Sequence, residues 1–164
     1  MKETSLIVHP LEPIVSPDSE ILILGSFPSV KSREAAFYYG NPQNRFWRVL
    51  AAIFGEFLPQ TNGERRELIL RHRLALWDTV GSCHVTGSAD SSLSDVTPND
   101  LSRVFSVAPI RKILLNGKTA ERVFRKSHPA FPLPCAVLPS TSPANAAWSL
   151  EALIAAWGGE LKTV

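Results

Sequence analysis

The groups in this sequence able to do chemistry sit at the ends of apolar runs. ILILGS (21–26) leads into Phe27-Pro28 and on to a Lys31-Ser32 pair. LALWDTV (74–80) carries Asp78, and KILLNG (112–117) carries Asn116 with Lys118 just beyond. CAVLPST (135–141) ends on Ser140 and Thr141, followed by Ser142. A carboxylate can take a proton or oppose a developing positive charge. A side-chain amide offers two donors and an acceptor. A run of hydroxyls and backbone amides suits phosphate oxygens.

The stretch GSFPSVKS (25–32) comes close to the phosphate-cradling pattern G-x-x-x-x-G-K-[ST], with Val30 where the second glycine belongs. A β-branched residue disfavours the positive-φ geometry that turns backbone amides toward a phosphate. Pro28 removes one of those amides. A nucleotide hydrolase built on Lys31-Ser32 is therefore an alternative rather than the leading reading. Residues 26–43, SFPSVKSREAAFYYGNPQ, show no clear helix. A loop of that length is usually functional or disordered, and Phe27, Phe37, Tyr38 and Tyr39 argue against disorder. Aromatic rings of this kind either cover a core or stack on a nucleobase, at about 1–3 kcal/mol per base. Next to them, Asn41 and Asn44 of NPQNRFW flank a short turn, and Asn44 also suits a helix cap.

The four apolar runs read as buried strands. Helical patterns lie between them at 44–55, 61–73, 97–107, 118–127 and 146–158, the third with Thr97 as cap and Pro98 at the first helical position. Alternating strands and helices imply an α/β fold: three layers, α/β/α, around a central four-stranded parallel sheet. Ligands on such sheets bind beyond the carboxyl ends of the strands. The polar residues named above should therefore crowd one edge.

Bulk properties fit one domain spanning 1–164. The chain is 45% hydrophobic and 20% charged, with net charge +2 and pI about 8.7. Such a balance permits a nucleic-acid partner without demanding one. The basic residues cluster around Lys31 to Arg48, Arg65 to Arg73 and Lys118 to Lys126, as solvated helix faces or as phosphate contacts. Cys83 and Cys135 lack C-x-x-C spacing, and His9, His72, His84 and His128 lack ligand spacing. We therefore expect no metal, no iron–sulfur cluster and no disulfide. No signal peptide or run of 18 apolar residues is apparent, so a soluble, cytoplasmic protein without membrane contact is expected.

Four segments together resemble the uracil-DNA glycosylase superfamily: GSFPS (25–29), NPQNRFW (41–47), LLNGKTAERVF (114–124) and LPSTSPAN (138–145). With LWDTVGSC (76–83) the combination is most similar to its hypoxanthine-DNA glycosylase branch. The resemblance implies a monofunctional DNA glycosylase. It would hydrolyse the N-glycosidic bond of deaminated bases in DNA, start base excision repair and leave an abasic site, with no cofactor and as a monomer. One departure is plain: Phe27 replaces the asparagine of the relatives' first motif and cannot hold a water by hydrogen bonding. The resemblance moves that role to Asn44, or to Asn41, with Asp78 as a base or as a stabiliser of the cationic sugar. Phe27, Tyr38, Tyr39 and Asn116 would bind the base. Ser140, Thr141, Ser142, Pro143, Asn145, Lys118 and Arg45 would bind DNA. A non-catalytic DNA-binding module on the same fold is the other alternative.

Overall fold

The computed structural model describes residues 4–86 and 93–161. Strands β2 (Ile21–Gly25), β3 (Leu74–Asp78), β6 (Lys112–Asn116) and β7 (Cys135–Leu138) form a parallel sheet in the order β3-β2-β6-β7. Every residue of β2 and of β3 is buried, so both faces of the sheet are covered. That is why these strands read as unbroken apolar runs rather than alternating ones. The register pairs Gly25 with Asp78 and Asn116 with Leu138. The polar strand ends are therefore level along one edge, as expected.

Around the sheet lie α2 (Phe46–Phe54), α3 (Asn62–Arg71), α5 (Lys118–Ser127) and α6 (Leu150–Leu161). α2 buries Phe46, Val49, Leu50 and Ile53 and ends at Gly55, whose φ of 63° suits the left-handed turn that closes a helix. It packs on α6, where Phe46 meets Trp157 edge to face at 6.0 Å. α3 starts from Thr61, whose side chain accepts from the Glu64 amide.

Several expectations need correction. The loop after β2 holds a short helix, α1 (Val30–Ala35), capped by Ser29, whose side chain accepts from the Ser32 amide. The helix expected at 97–107 is only α4 (Ser102–Phe105), and α6 begins at Leu150 rather than at 146. Thr97 and Pro98 instead end a strand, β5 (Leu93–Pro98). That strand belongs to a second, antiparallel sheet in the order β1-β4-β5, with β1 at Thr4–Val8 and β4 at Val80–Thr86. The expected strand at 74–80 thus splits after Asp78. The chain turns there because the Thr79 and Val80 amides donate to the carbonyls of Gly25 and Ser26. Asn99 fastens the bend, its side-chain amide donating to the carbonyls of Asp78 and Val80 at 2.9 and 3.2 Å. β1 pairs with β4 so that Val8 faces Ser82, and the His9 amide donates to the Gly81 carbonyl. This pairing carries His9 to the end of β3.

Candidate active site

The strand ends and the segments after them enclose a cavity of about 120 Å³. Of the residues singled out by the sequence, Phe27, Tyr38, Tyr39, Asn41, Asn44, Asp78, Asn116, Ser140, Thr141, Ser142 and Pro143 all line it. Asn145, Lys118 and Arg45 do not.

Asp78 is the charged group of the cavity and is only 4% exposed. Its Oδ2 lies 2.8 Å from His9 Nε2, and the His9 side chain is itself buried. Across from it, Gly25 has no side chain for a structural reason. A Cβ there would sit 2.5 Å from Asp78 Oδ1 and 2.8 Å from the Tyr39 hydroxyl. The glycine is what lets the carboxylate reach the cavity.

His9 escaped the sequence reading. It has no metal-ligand spacing, and its place directly after the apolar run LIV (6–8) is the signal that sets it at a strand end. Three aromatic rings surround it. Phe27 stands edge-on at 5.8 Å, Tyr38 at 6.2 Å and Trp77 edge-on at 6.4 Å.

The amides differ in what they have left to offer. Asn44 Oδ1 accepts from the Phe46 amide at 2.9 Å, fixing the entry into α2, so its Nδ2 is the group left for a ligand. Asn41 Oδ1 accepts from the Gln43 amide at 3.0 Å in the same manner. Asn116 is committed on both sides. Its Nδ2 donates to the Tyr39 hydroxyl and to Thr141 Oγ1, and its Oδ1 accepts from the Thr141 amide, each at 3.1 Å. It ties three loops together. Asn116→Ala should therefore lower stability by about 1–3 kcal/mol, the cost of stranding buried polar partners, read as a shift in the denaturant midpoint at unchanged slope.

The tyrosines are walls of the cavity. Tyr39 packs its ring on Phe46 with centroids 4.1 Å apart, which closes that face to a base. Tyr38 donates its hydroxyl to the Glu12 carbonyl at 2.7 Å. Burial, reinforced by the charge of Asp78, pushes both phenols far above their ordinary range, so both stay neutral. Phe27 is 6% exposed and supplies an apolar wall.

The loop after β7 is pre-shaped by its own hydrogen bonds. Ser140 Oγ accepts from the Ser142 amide, Ser142 Oγ from the Ala144 amide, and Asn145 Nδ2 donates to the Ser140 carbonyl. Arg45 acts as a clamp on this loop. Its guanidinium donates to the carbonyls of Ser142, Asn145 and Trp148, and its backbone amide to that of Thr141. Those donors are spent inside the protein and not held out for a phosphate. Lys118 is exposed at the head of α5. Before it, Gly117 adopts a φ of 94°, and a Cβ there would lie 3.0 Å from Ser140 Cβ. The glycine allows the two loops to touch.

The nucleotide-hydrolase alternative fits poorly. Ser32 is buried inside α1, its hydroxyl bonded to Ser29 Oγ and to the Gly40 amide. Lys31 points to solvent within the same helix, whereas a phosphate-cradling loop needs its helix to begin after the pair.

Among the described residues no cluster of three His, Cys, Asp or Glu side chains could hold a metal ion, and no helix is long and apolar enough to cross a membrane.

Comparison with known proteins agrees with this fold. The family model of the Uracil DNA glycosylase superfamily covers residues 12–158. The chain is 38% identical over 141 residues to a hypoxanthine DNA glycosylase of Methanosarcina acetivorans, spanning 83% of this chain and 87% of that protein. It is also 38% identical over 108 residues to one of Methanosarcina barkeri, spanning 65% and 68%. A solution NMR structure of a candidate uracil DNA glycosylase from Methanosarcina acetivorans superposes with a TM-score of 0.83 at 30% identity, covering 97% of this chain and 98% of that one. With the family match spanning nearly the whole chain, this protein belongs to the Uracil DNA glycosylase superfamily.

Proposed function

We propose that this protein is a monofunctional DNA glycosylase that releases deaminated bases, hypoxanthine foremost, from DNA. The observation that carries the proposal is a buried carboxylate, Asp78, facing a cavity whose other polar groups are amides and hydroxyls. That combination suits a reaction that builds positive charge on a sugar while the base departs with the bonding electron pair, its negative charge met by amide donors and later quenched by a proton from solvent.

The target bond lies within the duplex, so the nucleotide must first be flipped out, at roughly a few kcal/mol and less when the base is mispaired. Glycosidic cleavage then passes through an oxocarbenium-like sugar. Asp78 opposes that charge and can accept a proton from the attacking water. The Nδ2 groups of Asn44 and Asn41 donate to the departing base or hold the water. Ser140 and Ser142 bind flanking phosphates. Thr141, fully buried and bonded to Asn116 through both its hydroxyl and its amide, holds their loop in place rather than meeting a phosphate. Pro143 with Asn145 faces the gap that the flipped nucleotide leaves. Lys118 adds an exposed positive charge beside it. Arg45 serves DNA binding indirectly, by shaping that loop. Among the described residues no lysine lines the cavity, which supports simple hydrolysis to an abasic site over a lyase route. One copy of the chain supplies every group used here, so a monomer suffices.

A duplex carrying one deoxyinosine tests the proposal. Incubation followed by hot alkali should nick the strand at that position and at no undamaged base. Binding without nicking would favour the DNA-binding module instead. Asn44→Ala should lower the excision rate about tenfold, the worth of one hydrogen bond of ~1.4 kcal/mol, with DNA affinity nearly unchanged. Full activity in that variant would remove Asn44 from the chemistry.

A further inference from the structure

His9 never reaches the cavity, yet it is the only side chain in hydrogen-bonding contact with the carboxylate of Asp78 among the described residues. An imidazole nitrogen 2.8 Å from a carboxylate oxygen must carry a hydrogen there, so Nε2–H donates to Oδ2. The other nitrogen meets two groups of one residue. Nδ1 lies 2.9 Å from the Leu11 carbonyl oxygen and 3.2 Å from the Leu11 amide nitrogen. A neutral ring accepts from the amide, and a cationic ring donates to the carbonyl. His9 can thus bind a proton at Nδ1 without losing its partner at Asp78. The exchange is simple in atoms: a proton from solvent joins the Nδ1 lone pair, the bond from the Leu11 amide is lost, and a bond to the Leu11 carbonyl forms.

The consequence for the carboxylate is not neutral. With His9 uncharged, the pair carries one negative charge into a buried cavity. With His9 protonated the pair sums to zero, and its pull on a cationic sugar is largely cancelled. We infer that His9 is the positioning residue of the site: its uncharged ring holds Asp78 Oδ2 so that Oδ1 faces the cavity, and its protonation turns excision down. This inference rests on the glycosylase reading. Other charged or titratable groups facing the pair come from several elements. Tyr38 and Tyr39 follow α1, and both phenols stay neutral. Arg33 of α1 lies 5.7 Å from the centre of the Phe27 ring. Glu12, beyond β1, is bonded to Arg103 of α4, whose guanidinium lies 5.3 Å from the centre of the Trp77 ring.

Two variants test the inference on the full chain, with a deoxyinosine duplex as the probe. His9→Ala should lower kcat at least tenfold at pH 7.5 while KM stays within about twofold, because the lost contact is made to Asp78 and not to DNA. His9→Gln places an amide N–H near Asp78 that cannot titrate. It should recover most of the wild-type kcat at pH 7.5 and lose the acid-side fall in rate that protonation of His9 causes in the wild type. If His9→Ala does not fold, the profile of His9→Gln decides alone. An acid limb shared by wild type and His9→Gln, or a wild-type kcat in His9→Ala, overturns the inference and leaves the glycosylase reading standing. A wild-type protein that excises nothing at any pH removes that reading and this inference with it.

Discussion

Asp78→Asn should lower the single-turnover excision rate by about 10²–10³ with little change in DNA affinity. The substitution keeps size and shape, so the cavity survives. It can also keep the bond to His9, since an amide oxygen can accept from Nε2–H where Oδ2 does now. That orientation turns the NH₂ group toward the cavity. The site would then present a positive dipole end where it had presented a negative charge, and a cationic sugar would be repelled rather than stabilised. The proposed nucleotide-flipping and phosphate contacts lie elsewhere, on the loop around Ser140, so binding should persist. A gel-shift titration beside single-turnover kinetics separates the two. A loss of affinity that matches the loss of rate would mean that Asp78 holds the fold or the DNA and not the reacting sugar.

Gly25→Ala should have nearly as large an effect on rate, together with a loss of about 1–3 kcal/mol in stability. The added methyl would sit 2.5 Å from Asp78 Oδ1 and 2.8 Å from the Tyr39 hydroxyl. Neither neighbour is a flexible end. Asp78 is held by His9, and Tyr39 by Asn116 and by its packing on Phe46. Gly25, at the end of β2, also pairs with Asp78 of β3, which leaves the backbone little room to retreat. The carboxylate must therefore rotate out of the cavity or the strand must shift. Thermal unfolding and excision should fall together in this variant, whereas Asp78→Asn should lose rate alone. A Gly25→Ala protein with wild-type melting temperature and rate would show that the close approach of Asp78 to β2 is unimportant.

The central sheet was legible because a strand buried on both faces reads as an unbroken apolar run, as ILILG does and as LALW does up to Asp78. The rule that ligands sit beyond parallel strand ends then brought Asp78, Asn116 and Ser140 to one cavity. The second sheet was not legible. β1 leaves Leu6 and Val8 exposed, β4 mixes Gly, Ser, Cys and His, and their pairing joins residues far apart in the chain. His9 therefore had no visible partner in the sequence. Thr97 and Pro98 imitate a helix start, but Pro98 sits at a strand end opposite Val80, where a missing N–H costs nothing. By residue type Arg45 suits a phosphate and Asn116 a base, both outward roles. The folded chain spends their hydrogen bonds on its own loops, and residue type alone does not disclose that.

We propose that a base is cut free in the cavity that Asp78 faces. Mass-spectrometric detection of free hypoxanthine, released from a duplex with one deoxyinosine by excess protein, tests it most directly. Wild type should liberate one equivalent per duplex, and Asp78→Asn should liberate almost none over the same interval while still binding the DNA. No free base from wild type, or equal release by both proteins, would contradict it.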